Sequence, residues 1–128
     1  LNKYSLDTKI YYAEIDISKI DVSKINTKYK EVSKFPSSRR DVSMILDSKI
    51  NFDEIKRLSF SADKNILKEV NLFDVYKDKS MGNDKKSYAI SFMFNDFKKT
   101  LTDKHIDQVM KKIMDKFIKE LNAQIRDK

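Results

Sequence analysis

The sequence predicts an α+β fold in which two helices cover one face of an antiparallel sheet. Three observations predict it. Several short segments alternate apolar with polar residues, two longer segments carry apolar residues every three or four positions, and the two kinds of segment are interleaved along the chain. The order from residue 39 onward is therefore strand, helix, strand, strand, helix, strand.

The first 33 residues are predicted to form an extension that precedes this fold. Residues 10–17, IYYAEIDI, are rich in β-branched and aromatic residues, which favours a strand. Residues 18–32 are polar, rich in lysine and only weakly periodic, which indicates a linker. We therefore expect an N-terminal extension with one strand over residues 1–33, followed by a domain over residues 34–126.

Four segments of this domain have strand patterns. Residues 39–47, RRDVSMILD, alternate in polarity, and residues 66–77 and 87–95 form a β-hairpin with a long polar loop. Residues 123–126, AQIR, are a candidate final strand. Because successive side chains of a strand point to opposite faces, one face of these strands is predicted to form the core. Its members are Val42, Met44, Leu46, Tyr88, Ile90, Phe92 and Phe94.

Helix starts are predicted at two places. Asn51 and Glu54 have the spacing of a capping box, and the apolar residues on either side have the spacing of a hydrophobic staple. Thr102 can cap the last helix. That helix carries an apolar stripe formed by Ile106, Met110, Ile113, Phe117 and Leu121. The resulting order is the split βαβ pattern of ferredoxin-like domains, a βαββαβ sandwich that serves many unrelated functions.

Composition limits the class of protein. With 40% hydrophobic and 37% charged residues, the chain is too apolar to be disordered and too charged to lie within a membrane. No apolar run approaches the roughly 20 residues that span a bilayer. The absence of cysteine excludes disulfides and suits the cytoplasm, which is the location we expect. The net charge of +7 favours a polyanionic partner, although it also serves solubility.

Catalytic constellations are scarce in this sequence. It has one histidine, no cysteine and no glycine-rich phosphate loop, so a thiol nucleophile, a two-histidine metal site and a P-loop are excluded. His105 is more simply explained as an exposed residue in the first turn of the last helix. Asp53 and Glu54 are explained by the helix N-terminus, where negative charge is favoured. We expect no catalysis, metal or cofactor in this chain.

Four motifs, in this order and spacing, resemble the ferredoxin-fold anticodon-binding domain at the C-terminus of the bacterial phenylalanyl-tRNA synthetase β subunit. The resemblance covers residues 34–126, and the strand-like YYAEIDI before it resembles the end of the family's preceding module. Asp78 stands where the family usually has glycine, and His105 where it usually has glutamate. The motifs are SKFPSSRRD from Ser33, LFDVYK from Leu72, KKSYAISFMF from Lys85 and TLTD from Thr100.

The resemblance implies a tRNA-binding function and a set of site residues. If Phe73 and Val75 point into the core, Asp74 and Tyr76 point away from it. The resemblance implies that Asp74 and Ser87 hydrogen-bond the first anticodon base and that Tyr76 stacks on it. Basic residues beside this platform are candidates for RNA contacts. They are Arg39, Arg40, Lys77, Lys85 and Lys86.

Other interpretations of the same residues stay open. Tyr76 could be an ordinary strand residue, Asp74 could pair with Arg39 or Arg40, and the lysines could be a solvated loop. The whole chain could instead be a ferredoxin-like regulatory or assembly domain that binds a small ligand or another subunit. In the complete α2β2 enzyme that the resemblance implies, ATP and Mg²⁺ would be used on the partner α subunit.

Overall fold

The structure is a computed structural model that describes residues 10–20, 29, 31–78, 81–82 and 84–126. The chain divides into two compact units, residues 1–31 and residues 32–128. No helix within the described ranges is both long enough and apolar enough to cross a membrane.

The second unit contains the six predicted elements in the predicted order. The four strands form one antiparallel sheet with the order β2-β3-β1-β4, and the two helices share one core with it. This is the strand order of the ferredoxin-like α+β fold, so the predicted fold class is confirmed. The elements are β1 (Ser38–Asp47), α1 (Phe52–Ala62), β2 (Leu67–Tyr76), β3 (Lys85–Phe94), α2 (Asp103–Leu121) and β4 (Gln124–Arg126).

The core lies between the helices and one face of the sheet. Tyr88, Ile90, Phe92 and Phe94 of β3 are all buried, as the alternation of that segment predicts. The rings of Phe92 and Phe117 lie 6.4 Å apart between centroids. Core residues also come from α1 and α2, so both helices cover the same side of the sheet. The buried apolar residues of the helices are Ile55, Leu58, Ile106, Val109, Met110, Ile113, Phe117 and Leu121.

The predicted caps fix where the helices begin. The carboxylate of Glu54 accepts a hydrogen bond from the backbone N–H of Asn51 at 3.3 Å. The hydroxyl of Thr102 accepts one from the backbone N–H of His105 at 3.4 Å. These bonds satisfy backbone groups that have no partner within a helix end. At the other end of α2, Asn122 takes the left-handed conformation with φ of 50°, which commonly ends helices.

The segment before β1 is tied to the far end of β3. The Ser33 hydroxyl donates to the backbone carbonyl of Asp96 at 3.3 Å. The side-chain amide of Asn95 donates to the carbonyl of Phe35 at 2.9 Å. Pro36 also restricts Phe35 to an extended conformation. The two hydrogen bonds and this restriction together set the direction in which the chain enters β1.

The prediction of a strand over residues 10–17 is wrong. Residues 10–16 have no regular structure, and Ile17–Lys19 forms a single turn of 3-10 helix. The side chains of Tyr11 and Tyr12 are 89% and 83% exposed. Aromatic and β-branched residues favour a strand when neighbouring strands pack against them, and no strand in the described part of the chain pairs with this segment. Most of the predicted linker lies outside the described residues.

Candidate nucleic-acid interface

The sheet face opposite the helices is the candidate site, and we call it the open face. Asp74, Tyr76 and Ser87 all lie on it, because Asp74 pairs with Ala89 and Tyr76 pairs with Ser87 in the β2–β3 register. Directly paired residues of antiparallel strands point to the same face. Ala89 and Ser87 alternate with the buried Tyr88, so their face is the one away from the core. The sequence therefore predicted which face these three residues share.

Asp74 and Tyr76 stand beside each other near the end of β2. Both are exposed, and alternate residues of a strand lie about 7 Å apart. The Tyr76 hydroxyl donates to a carboxylate oxygen of Asp78 at 2.9 Å. This hydrogen bond, and the negative charge of Asp78, raise the pKa of Tyr76 above its usual value. The ring is thus held at its hydroxyl end while much of its surface stays accessible, with 52% of Tyr76 exposed.

Ser87 is a buried member of the open face, between β2 and β1. It lies in β3, an inner strand of the sheet, and only 6% of it is exposed. Its hydroxyl lies 3.5 Å from the hydroxyl of Ser43 in β1. A hydroxyl can donate and accept, so this pair offers hydrogen-bonding capacity on the open face. The carboxylate, the ring and the hydroxyl therefore surround one area of the open face.

A β-bulge places Phe73 on the open face, so the expectation that Phe73 points into the core is wrong. The register shifts between Leu72, which pairs with Ile90, and Asp74, which pairs with the next residue, Ala89. Phe73 is the extra residue, and its side chain is 55% exposed. A bulge opposes two residues to one and redirects a side chain. Strict alternation cannot detect it.

The two arginines at the start of β1 lie on opposite faces. Arg39 lies on the open face, where its Nε donates to the Asp41 carboxylate at 2.8 Å and its guanidinium stands 5.5 Å from the centre of the Phe73 ring. Arg40 instead binds the carboxylates of Asp103 and Asp107 in α2, at 2.5 and 3.6 Å. Arg40 therefore attaches β1 to α2 on the helix side of the sheet, and its RNA contact stays a prediction.

The lysines of the hairpin divide in the same way. Lys85 and Lys77 are exposed, and Lys85 lies on the open face because it precedes Ser87 by two positions. Lys86 is only 8% exposed. Its ammonium donates to the backbone carbonyls of Ser48 and Ile50 at 2.9 and 2.8 Å. To reach an RNA phosphate, an ammonium bound in this way would have to give up both hydrogen bonds, and the RNA contact of Lys86 stays a prediction.

Arg126 is a candidate that the sequence analysis missed. It pairs with Ser43 in the β1–β4 register, which places it on the open face. With Arg39, Ser43 and Phe73 it lines a groove of about 820 Å³. The sequence identified the final strand, but its short pattern did not fix its register with β1. A basic residue in that strand was the available signal.

The charge of the open face is close to balanced. The described strand residues that pair across this face include three cations, Arg39, Lys85 and Arg126, and four carboxylates, Asp41, Asp47, Glu69 and Asp74. The excess positive charge lies elsewhere. The outer face of α2 carries four exposed lysines beside four exposed carboxylates; the lysines are Lys104, Lys111, Lys112 and Lys119, and the carboxylates are Asp103, Asp107, Asp115 and Glu120. The open face is thus better suited to reading bases than to attracting phosphates from a distance.

Within the described residues, no group of three or more histidine, aspartate or glutamate side chains could hold a metal ion. His105 lies in the first turn of α2, where its backbone N–H is capped by Thr102. Every buried side-chain nitrogen and oxygen in the described part of the chain has a hydrogen-bond partner. Among the described residues, the open face therefore remains the candidate binding site.

Comparison with known proteins identifies a family for the part of the chain that contains the sheet and both helices. A family model described as a ferredoxin-fold anticodon binding domain matches residues 33–126. A phenylalanine–tRNA ligase β subunit of Bacteroides fragilis is 39% identical over 128 residues, covering 98% of this chain. That of Clostridium acetobutylicum is 36% identical over 125 residues, covering 96% of this chain. In both cases the match spans only 16% of the relative's length.

Proposed function

Because the chain belongs to the ferredoxin-fold anticodon binding domain family, we propose that its open face binds the anticodon stem-loop of phenylalanine tRNA. The family resemblance predicted over residues 34–126 is confirmed. The observation that carries the proposal is the convergence of Asp74, Tyr76 and Ser87 on the sheet face opposite the two helices, inside the matched residues.

The proposed contact is with a base that has left its stack. Proteins read single-stranded RNA by laying unstacked bases on aromatic rings and hydrogen-bonding their edges. The Tyr76 ring supplies the stacking surface, and the Asp74 carboxylate accepts from the base edge. Guanine offers two adjacent donors, N1–H and the N2 amino group, which suit a carboxylate. The GAA anticodon of phenylalanine tRNA begins with guanine.

The proposed backbone contacts are the exposed cations around this base site. Lys77 and Lys85 lie at the hairpin end of the sheet, while Arg39 and Arg126 line the groove on the other side. Each can approach an RNA phosphate without breaking a contact with the core. Arg39 would exchange its hydrogen bond to the Asp41 carboxylate for one to an RNA phosphate.

The chain corresponds to a small part of a ligase β subunit, a part that is not catalytic alone. We propose that in the longer protein it serves a phenylalanine–tRNA ligase with an α subunit as partner, where ATP would be consumed, with Mg²⁺ as its cofactor, outside this domain. The division into an extension over residues 1–33 and a binding domain over residues 34–126 belongs to the same proposal, as does a cytoplasmic location.

The alternative is a regulatory or assembly domain. The observation that favours it is the groove beside β1 and β4, because Val42, Met114 and Ile125 add apolar surface to its polar lining. Pockets of this size that combine apolar walls with a few polar groups can bind small ligands.

Titration with an anticodon stem-loop tests the proposal. The GAA hairpin should bind, and a hairpin with adenine in the first anticodon position should bind less well. Tyr76→Ala should cost about 1 to 3 kcal/mol of binding free energy, and Asp74→Ala about 1.5 to 3 kcal/mol together with most of the guanine preference. Glu69→Ala is the matched control, because it removes an exposed carboxylate from the far end of β2 on the same face.

Retention of wild-type affinity by both Asp74→Ala and Tyr76→Ala would refute the proposed face. Failure of the wild-type chain to bind any hairpin at low salt, with saturation by a small metabolite, would favour the regulatory alternative.

A further inference from the structure

The side chain of Lys86 is a buried cation in β3, and no carboxylate among the described residues pairs with it. Taking an ammonium out of water is costly unless its donors are used. Two of its donors are used by the carbonyls of Ser48 and Ile50, and the ring centre of Tyr88 lies 4.6 Å from its nitrogen. The charge is therefore fixed in place by neutral groups of the fold.

These contacts join the first residues of β3 to the turn between β1 and α1. The backbone N–H of Ser48 also donates to the carbonyl of Asp84 at 2.7 Å. Two attachments thus hold the same short stretch: one through the backbone at Asp84, the other through the side chain of Lys86. They act where the hairpin loop ends, just after Gly82 with its φ of +96°.

Lys86 stands between two residues of the open face. Lys85 and Ser87 flank it in β3, and Tyr76 lies opposite Ser87 in the neighbouring strand. Because alternate residues of a strand point to opposite faces, fixing Lys86 on the helix side also fixes how Lys85 and Ser87 are presented on the other side.

We propose that Lys86 is a positioning residue for the RNA site, which acts from the helix side of the sheet by fixing the hairpin end of β3. The inference rests on the proposed function. Removing its side chain should make the start of β3 less rigid at Ser87 and opposite Tyr76. Hydrogen bonds to the base should then be weaker, while no phosphate contact is lost.

The test compares Lys86→Met, which keeps the apolar stem and loses the donors, with its neighbour Lys85→Met on the open face. Lys86→Met should bind the GAA hairpin several-fold more weakly and lose part of its preference for guanine over adenine. The slope of log K against log salt should stay at the wild-type value. Lys85→Met should instead reduce that slope by about 0.7, the value for one phosphate contact on single-stranded nucleic acid, and leave base preference unchanged.

Lys86→Arg is the conservative variant, and its guanidinium should restore part of the guanine preference. If Lys86→Met lowers the salt slope as Lys85→Met does, Lys86 is a phosphate contact and the inference is wrong. If it leaves affinity and preference unchanged, Lys86 has no positioning role. If the wild-type chain does not bind the GAA hairpin at all, the proposed function itself is refuted.

Lysine acetylation of the wild-type chain, followed by mass spectrometry, supplies a measurement that needs no variant to fold. Lys86 should resist acetylation equally with and without hairpin, whereas Lys85 should react when free and be protected by the hairpin. Rapid acetylation of Lys86 in the free chain, with protection by RNA, would overturn the inference.

Discussion

Replacing Phe73 and Phe92 by alanine, one at a time, should have very different effects on stability. Both residues belong to strands of the same hairpin, and simple alternation places both in the core. The bulge in β2 instead turns Phe73 to the open face, where it is 55% exposed, while Phe92 is fully buried against Phe117. The pair of substitutions therefore tests the bulge.

The expected magnitudes follow from burial. Removing a fully buried phenylalanine costs about 3 to 5 kcal/mol, because the lost burial is combined with a cavity. Full burial of a phenylalanine is worth about 1.5 to 3 kcal/mol, so the half-exposed Phe73 should lose roughly 1 kcal/mol. Its contact with the Arg39 guanidinium adds about 0.5 to 1 kcal/mol at an exposed site. We expect Phe73→Ala to cost about 1 to 2 kcal/mol in total.

Urea unfolding followed by far-ultraviolet circular dichroism measures both values. With a denaturant slope of about 1.5 kcal/mol per molar, Phe92→Ala should lower the midpoint by roughly 2 to 3 M and Phe73→Ala by roughly 1 M. If Phe92→Ala does not fold, Phe92→Leu supplies the core reference. Equal losses for Phe73→Ala and Phe92→Ala would refute the assignment of Phe73 to the open face.

Three further outcomes are expected. Arg40→Ala, which breaks a partly exposed ion pair with α2, should cost under about 1 kcal/mol in urea unfolding and leave hairpin affinity unchanged. A loss of affinity would instead support the RNA contact predicted for Arg40. Asp78→Asn should lower the pKa of Tyr76, because it removes the charge that disfavours the phenolate; nuclear magnetic resonance titration of that ring should detect the change, and an unchanged pKa would contradict it. A chain of residues 32–128 should unfold at the midpoint of the full chain, and a marked loss would assign the first unit a stabilising role.

The sequence was sufficient where a pattern repeats over a whole element. The alternation in β3 predicted its buried apolar residues, the 3.6-residue period of α2 predicted all of its buried apolar residues except Val109, and the cap at Thr102 predicted the start of α2. The face shared by Asp74, Tyr76 and Ser87 followed from the same alternation.

The sequence was insufficient where position depends on pairing. The bulge at Phe73 breaks the alternation by one residue, and the place of Arg126 depends on the register of a three-residue strand. Two pairs of adjacent basic residues also lie on both faces of the sheet, since neighbouring residues of a strand point in opposite directions. Arg39 and Lys85, the first residue of each pair, lie on the open face. Arg40 and Lys86, which follow them, lie on the side of the helices. Charge counted along the sequence cannot separate them. The strand expected at residues 10–17 shows that strand propensity needs a pairing partner.

Mapping the backbone amide shifts of the chain on addition of the GAA anticodon hairpin tests the central claim most directly. Binding at the open face predicts that the largest changes fall at Asp74, Tyr76 and Ser87, with smaller changes at Arg126 and little change along α2. Nonspecific contact between phosphates and exposed lysines would instead place changes along α2, which carries four of them. Changes confined to α2, with the open face unaffected, would contradict the account.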